Sequence, residues 1–300
     1  MSSFTPNGLI VAHHGISVEV LFDNGIRRMV RVKRNSGHVV GDNVVVTGDV
    51  LKRLPRDTEL QRRDARGGIH LVAANLDVLG IVVAPLSPGG FIDRAIVAAQ
   101  SARLQPFLVV NKCDLDGTDE LLADLTRVYG GSVSIFPISA VTGSGLAPLE
   151  EYLSEGHRGA FVGTTGVGKS SLLNALCPDI DLKVGTLSVY NSMGRHTTTV
   201  STLHALAGGG ELVDTPGFRD FGLVDITVEE LAEYFPGFEG HREIPCKFRN
   251  CRHRTEPGCG VQVLVQQGRI PAERYATYMV ILAEVEALQA AARSRDWKNN

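Results

Sequence analysis

No stretch of this 300-residue chain is apolar for the roughly 20 residues that a bilayer-spanning helix needs. The longest candidate, Leu79–Leu86, is broken by Gly80 and Pro85, so no membrane partner is expected. Residues Met1 to Asn7 carry neither a basic n-region nor an apolar h-region, which argues against secretion and for a cytoplasmic protein. Five cysteines are an odd number. Without a secretory signal they point to reduced thiols or a metal site, not a disulfide framework. No internal repeat or low-complexity segment occurs. With 43% hydrophobic and 21% charged residues, disordered, collagen-like and coiled-coil classes are excluded, and the length favours two or three domains.

Net charge is also small, at −3, which taken whole argues against a nucleic-acid partner. The distribution along the chain reverses that. Residues 1–70 hold 11 basic against 7 acidic side chains, residues 71–239 hold 9 against 20, and residues 240–300 hold 10 against 6. Two basic ends flank an acidic centre, a field suited to contact with a polyanion at the ends.

The first segment lacks any long helical pattern before residue 90. Ile16, Val18, Val20 and Phe22 alternate with polar or small neighbours, and Asp23-Asn24-Gly25 follows as a hairpin turn. A second strand is expected over Ile26–Arg34, with Ile26, Val30 and Val32 on one face and Arg27, Met29, Arg31 and Lys33 on the other. Val39–Thr47 reads as a further strand pair or bulged strand. A small all-β barrel over residues 1–62 accounts for this pattern. From about residue 69 apolar strand-like runs (Val78–Ala84, Phe107–Val110, Val133–Pro137, Ala160–Val162) alternate with helical ones, the mark of a parallel sheet covered by helices. This alternation defines an α/β domain over residues 63–225. Residues 226–300 change again: a short acidic helix (Thr227–Tyr234), a Cys/His-bearing loop, and a long helix whose first turn suits Pro271. Tyr275, Met279, Leu282, Val285 and Leu288 fall near one face of that helix.

Gly163-Thr164-Thr165-Gly166-Val167-Gly168-Lys169-Ser170 fits the phosphate-loop pattern and sits between a strand and a helix, with Ser171 next in line. Its glycines let backbone N–H groups converge on phosphate at a helix N-terminus. Lys169 would reach the β- and γ-phosphates, and the Ser170 hydroxyl would meet Mg²⁺. Asp214-Thr215-Pro216-Gly217 follows the apolar Leu212-Val213. There Asp214 would hold Mg²⁺ through water, and the Gly217 N–H would sense the γ-phosphate. Asn111-Lys112-Cys113-Asp114 ends another apolar strand. A carboxylate at Asp114 accepts from both the ring N–H and the exocyclic amine of guanine, a donor pair adenine lacks. Lys112 can lay its stem over the base, and Ser139-Ala140, one β-α-β unit later, would bring backbone N–H near the guanine O6. The guanine motif thus precedes the phosphate loop, so the domain reads as circularly permuted. The permutation also passes the segment after Gly217 straight into the C-terminal region, which nucleotide state is therefore expected to reposition.

Cys246, Cys251, His253 and Cys259 supply three thiolates and one imidazole within fourteen residues, a donor set suited to one structural, tetrahedral Zn²⁺. Cys113 and Cys177 lie outside it. Arg242, Lys247, Arg249, Arg252 and Arg254 surround the ligands and suggest phosphate contacts.

The motif order and the flanking segments resemble the ribosome-small-subunit-dependent GTPase A family of bacteria over essentially the whole chain. That resemblance implies an N-terminal OB-fold RNA-binding domain, a central α/β circularly permuted P-loop GTPase domain and a mostly helical C-terminal zinc-binding domain. It also implies GTP hydrolysis to GDP that is slow alone and stimulated by the small ribosomal subunit and its rRNA during late maturation. Gly194-Arg195-His196-Thr197-Thr198-Thr199 is similar to the family's switch-I segment. Thr198 is favoured as the Mg²⁺ ligand, with Thr197 and Thr199 as rivals. Phe218 follows Gly217 where Ras-like enzymes place a water-orienting Gln, so slow intrinsic turnover is expected. The resemblance makes His196 the candidate to supply the missing function. The expected protein is a monomer that uses Mg²⁺ with GTP. An RNA-binding scaffold with a non-hydrolytic nucleotide switch is the alternative.

Overall fold

The computed structural model describes residues 7–63, 68–85, 87, 90–178, 200–215 and 223–299. Five strands open the chain: β1 (Gly8–His13), β2 (Ser17–Phe22), β3 (Arg27–Arg31), β4 (Asn43–Thr47) and β5 (Val50–Arg53). They pair antiparallel in the order β3-β2-β1-β4-β5. Ile10, Val18, Val20, Val30, Val44 and Val46 form their common core. This is a partly open five-stranded barrel. Two expectations shift at its edges. Ile26 is exposed, because it closes the β2–β3 turn through Ile26 O, which accepts from Phe22 N. The Val39–Thr47 strand begins only at Asn43: Gly41, at φ 89°, packs so tightly on the Ala74 carbonyl that the chain turns there.

A hairpin of β6 (Glu59–Arg63) and β7 (Ile69–Ala74) forms a separate two-stranded sheet, and the expected boundary at residue 62 falls inside it. The α/β region follows as β8 (Val78–Val83), α1 (Phe91–Ser101), β9 (Gln105–Val110), α2 (Thr118–Tyr129), β10 (Ser134–Pro137), α3 (Leu146–Ser154), β11 (Arg158–Val162), α4 (Lys169–Leu176), β12 (Ser201–Ala205) and β13 (Glu211–Asp214). Strands β10-β9-β8-β11-β13 are parallel neighbours, and β8 is buried along its whole length, as a strand covered on both faces must be. Leu79, Ile81 and Val83 face a core with Ala95 and Ile96 of α1, while Val78 and Val82 face a second core with Leu149, Leu153, Leu172 and Leu173. Gly80 leaves the room that the rings of Phe107 and Phe161 occupy: a Cβ there would sit 2.5 Å from Phe161.

Strand β12 runs antiparallel to β13 on one side and to β1 on the other. The barrel therefore continues the α/β sheet into a single path of strands.

The C-terminal region contains α5 (Leu231–Tyr234), a 3₁₀ turn (Glu239–Arg242), α6 (Gly260–Gln266) and α7 (Ala272–Asn299). The buried face of α7 is centred on Tyr278, Ile281, Leu282 and Val285. Tyr275, Met279 and Leu288 of the expected stripe flank it half-buried. The register is set by Phe235 and Phe238, whose rings lie 5.4 and 4.8 Å from Tyr278. This module shares one hydrophobic core with α1 and β8. No helix among the described residues is long and apolar enough to cross a membrane.

Candidate nucleotide and metal sites

The guanine-type loop, Ser139-Ala140, the phosphate loop and Asp214 all follow the carboxyl ends of adjacent parallel strands, where open α/β sheets bind ligands. Gly168 precedes α4 at φ 95° with no side-chain cap, so the first turn of that helix offers backbone N–H groups to a ligand. A Cβ on Gly163 would meet the Val82 carbonyl at 2.5 Å, and one on Gly168 would strike the Asn111 amide. Around Gly166, at φ 87°, space is open. The loop thus lies tight against the sheet and open outward. Val167 is buried beneath it, whereas Thr165, Gly166 and Ser170 are exposed and Thr164 and Ser171 half-buried. The Lys169 ammonium spans the loop, donating to the carbonyls of Gly163 (2.6 Å) and Thr164 (3.0 Å).

Asn111 is buried and joins three loops. Its Nδ2 donates to Val167 O (2.8 Å), and its Oδ1 accepts from Ala140 N (3.0 Å) and Lys112 N (2.8 Å). Its amide is a strut between the guanine-type and phosphate loops. Asp114 is exposed, with one oxygen accepting from Ser139 Oγ at 2.6 Å. Ser139 Oγ in turn accepts from Thr142 N (3.2 Å). This fixes the carboxylate while leaving its outer edge free to accept from a base.

Thr118 lies outside the motifs read from the sequence. Its buried hydroxyl donates to the carbonyls of Lys112 (3.0 Å) and Leu115 (2.8 Å), holding Lys112 at φ 69°. A Thr just after Gly117 is the local signal that could have found it.

Asp214 ends β13, and burial pushes its carboxyl up to about 6. Burial makes its charged form costly unless a cation or donor lies beside it. Gly194–Thr199, with His196 and Thr198, and Pro216–Phe218, with Gly217, lie outside the described residues.

The second site is the cluster of Cys246, Cys251, His253 and Cys259, whose ligand atoms all lie within 4.8 Å of one another. His253 Nδ1 is 3.4 Å from both Cys246 Sγ and Cys259 Sγ, and those sulfurs are 4.0 Å apart. A tetrahedral ion with Zn–S of about 2.3 Å and Zn–N of about 2.0 Å has edges near 3.5 and 3.8 Å, so the residues present fit such an ion. Burial pushes the Cys251 thiol up to about 12 and His253 down to about 4. A bound cation that takes the place of the Cys251 proton offsets that cost of burial. The support around the ligands is polar and local. Gly260 N donates to Cys246 Sγ and Gln262 N to Cys259 Sγ. Gln262 Nε2 and Tyr275 Oη both donate to His253 O (2.9 and 2.7 Å), holding His253 at φ 60°.

The basic ring around the ligands is partly spoken for. Arg252 and Arg254 both pair with Glu286, at 3.1 and 2.7 Å, because α7 passes beside the loop. Arg242, Lys247 and Arg249 are exposed.

Known proteins supply the context for this geometry. The family model for the RsgA GTPase matches residues 53–224. The small ribosomal subunit biogenesis GTPase RsgA of Azotobacter vinelandii is 40% identical over 93% of this chain and 85% of its own length. Its namesake in Pseudomonas fluorescens SBW25 is 38% identical over the same shares. Among solved structures, YjeQ from Thermotoga maritima superimposes with a TM-score of 0.75 at 33% identity, over 93% of this chain and 98% of its own. YloQ, described as a circularly permuted GTPase, gives 0.70 at 25% identity, over 95% and 96%. A phosphate loop strapped by Asn111 to a guanine-type loop, a permuted motif order and a match over most of the chain lead to one conclusion: the chain belongs to the RsgA GTPase family.

Proposed function

We propose that this protein binds the small ribosomal subunit and hydrolyses GTP to GDP and phosphate during late maturation of that subunit. The carrying observation is the Asn111 strut, which holds guanine-selecting and phosphate-binding loops in one frame at the strand ends. Asn111, Lys112, Asp114, Ser139 and Ala140 select guanine. Residues Gly163 to Ser171 cradle the phosphates, with Lys169 on the β- and γ-oxygens. Ser170, Thr198 and Asp214 hold Mg²⁺, Gly217 senses the γ-phosphate, and His196 supplies the water-directing function. Bound Mg²⁺ would neutralise charge on the phosphates, and the soft donor set of the second site selects Zn²⁺ as a structural ion. In functional terms the chain divides into a barrel (1–62), a nucleotide domain (63–225) and a zinc module (226–300), with the β6–β7 hairpin as the link between the first two. The names of the relatives support the ribosomal assignment, and the basic ends supply the surfaces for rRNA. We further infer a cytoplasmic monomer.

The test is phosphate release from GTP by the full chain with and without purified small subunits. The expected result is slow release alone and release at least tenfold faster with subunits. Equal rates would overturn the assignment.

A further inference from the structure

A cavity of about 310 Å³ lies where the barrel, the β6–β7 hairpin and the switch-bearing strands meet. Its polar lining comes from three places. His13 and His38 belong to the barrel, Arg62 and His70 to the hairpin, and Ser201 and Thr215 to the ends of β12 and β13. Arg62 and His70 are direct cross-strand partners and so stand side by side. His13 Nδ1 accepts from Gly15 N at 3.2 Å, which puts the proton of the neutral ring on Nε2. His38 Nδ1 lies 2.8 Å from Ser36 Oγ, so its Nε2 is likewise the nitrogen left for a ligand.

Among the described residues, no carboxylate lines the cavity. Asp42 is turned toward Arg56 (2.6 and 2.9 Å), which Glu59 shares at 3.0 Å, and toward Val39 N (2.9 Å), and it does not line the cavity. Among the described residues the opening is walled by one guanidinium, three imidazoles and two hydroxyls with no carboxylate, chemically the lining of an oxyanion receptor.

Its position gives it leverage. His13 is the sheet partner of Ser201, Ala12 of Thr202, and Thr202 of Asp214. The cavity therefore straddles the seam joining the barrel to the strands that follow Thr199 and end at Asp214.

We propose that this cavity is a phosphate-oxyanion site, taking either an RNA phosphodiester or free phosphate, and that its occupant clamps the barrel onto β12 and β13. The site stands on the cavity itself. Its consequence for hydrolysis rests on the function proposed above.

Two measurements separate the site from that consequence. First, imidazole Cε1–H resonances of the full chain are followed during titration with a short single-stranded oligoribonucleotide and, at matched ionic strength, with inorganic phosphate. Saturable shifts of His13 and His38 that vanish in Arg62→Gln are expected, and the arm that produces them identifies the source. No shift in either arm overturns the site, as do shifts that persist unaltered in Arg62→Gln. Arg62 is exposed, so the variant is expected to fold, which its unfolding temperature checks. Second, Arg62→Gln with His38→Gln should leave basal GTP hydrolysis unchanged and lower subunit-stimulated hydrolysis about tenfold at limiting subunit, a loss on the scale of one charged hydrogen bond. If RNA is the occupant, the salt dependence of subunit binding should weaken by about one phosphate contact. Full stimulation in this variant overturns the clamp. Absence of stimulation in the wild type instead overturns the proposed function, and the resonance titration still decides the site.

Discussion

Arg274→Met tests what locks the C-terminal module to the α/β core. Arg274, on α7, and Asp93, on α1, are 6% and 3% exposed. Their charges meet at 2.7 Å, Arg274 Nη2 also donates to Pro236 O at 2.7 Å, and the guanidinium lies 5.0 Å from the Tyr129 ring and 4.9 Å from that of Phe235. Met replaces the aliphatic stem but not the charge. Asp93 is then left buried with one described donor, Tyr129 Oη at 3.0 Å. Breaking a buried ion pair by removing one partner costs about 3–5 kcal/mol. Each lost cation–π contact adds about 0.5–2 kcal/mol, partly counted already. The expected loss is therefore about 4 kcal/mol. Adding Asp93→Asn removes the stranded charge and should recover more than half of it. The assay is urea unfolding with hydrogen exchange of α7 amides, because the chain has several modules and a single transition is not assumed. A cost below about 1 kcal/mol, or a double variant no more stable than the single one, would refute the claim that this pair is a desolvated lock.

Asp114→Ala should weaken GTP binding about a hundredfold, from loss of charge-assisted hydrogen bonds to the base, while ATP binding, measured in parallel by titration, stays unchanged. Chelation of the metal should collapse the loop around Cys246–Cys259 and weaken subunit binding; a near-native circular dichroism spectrum and unchanged affinity would contradict a structural ion. Retention of the ion should also fall with pH, since protons compete for the Cys251 thiolate. His196→Ala should lower subunit-stimulated turnover far more than GTP affinity, and unchanged stimulated turnover would remove His196 from the mechanism.

What the chain reveals on reading divides by the range of the forces involved. The phosphate loop, the Asn111–Asp114 loop and the Cys/His cluster are local patterns, and their flanking strands are continuous apolar runs because β8, β9 and β11 are covered on both faces. Strand β12 was invisible. In Ser201–Ala205 only Leu203 is buried, and the segment is a strand because β13 and β1 supply hydrogen bonds on its two edges. The β6 strand was missed for the same reason, with Leu60 its one buried side chain. The face that α7 buries keeps the expected Leu282 and Val285 but turns toward Tyr278 and Ile281, since apolar residues continue around that helix and the rings of Phe235 and Phe238 choose among them. Within the nucleotide site, the identity of Asn111 was legible, but its work as a strut to Val167, 56 residues away, is a tertiary fact.

The two modules flanking the nucleotide domain are held by bonds of very different strength, and that difference bears on which of them follows the nucleotide. The C-terminal module shares the main core through Leu231, Phe235, Phe238, Tyr278 and Ile281, and adds the Arg274–Asp93 lock and the Arg94–Glu284 pair at 2.7 Å. The barrel of strands β1–β5 has a core of its own and reaches the main core mainly through Val11 and Val40, and among the described residues the β1–β12 strand pairing is two residue pairs long. Packed cores resist small displacements, whereas a short strand pairing opens locally at little cost. The motif order suggested that the segment after Gly217 moves the zinc module. The packing argues that the barrel is the freer body, because β12 begins two residues after Thr199 and carries any change there directly to β1. Hydrogen exchange should therefore differ between GDP and a non-hydrolysable GTP analogue at the β1 amides of Ala12 and His13, with α7 amides near Tyr278 unchanged. The opposite pattern, protection changing in α7 and not in β1, would return the coupling to the zinc module.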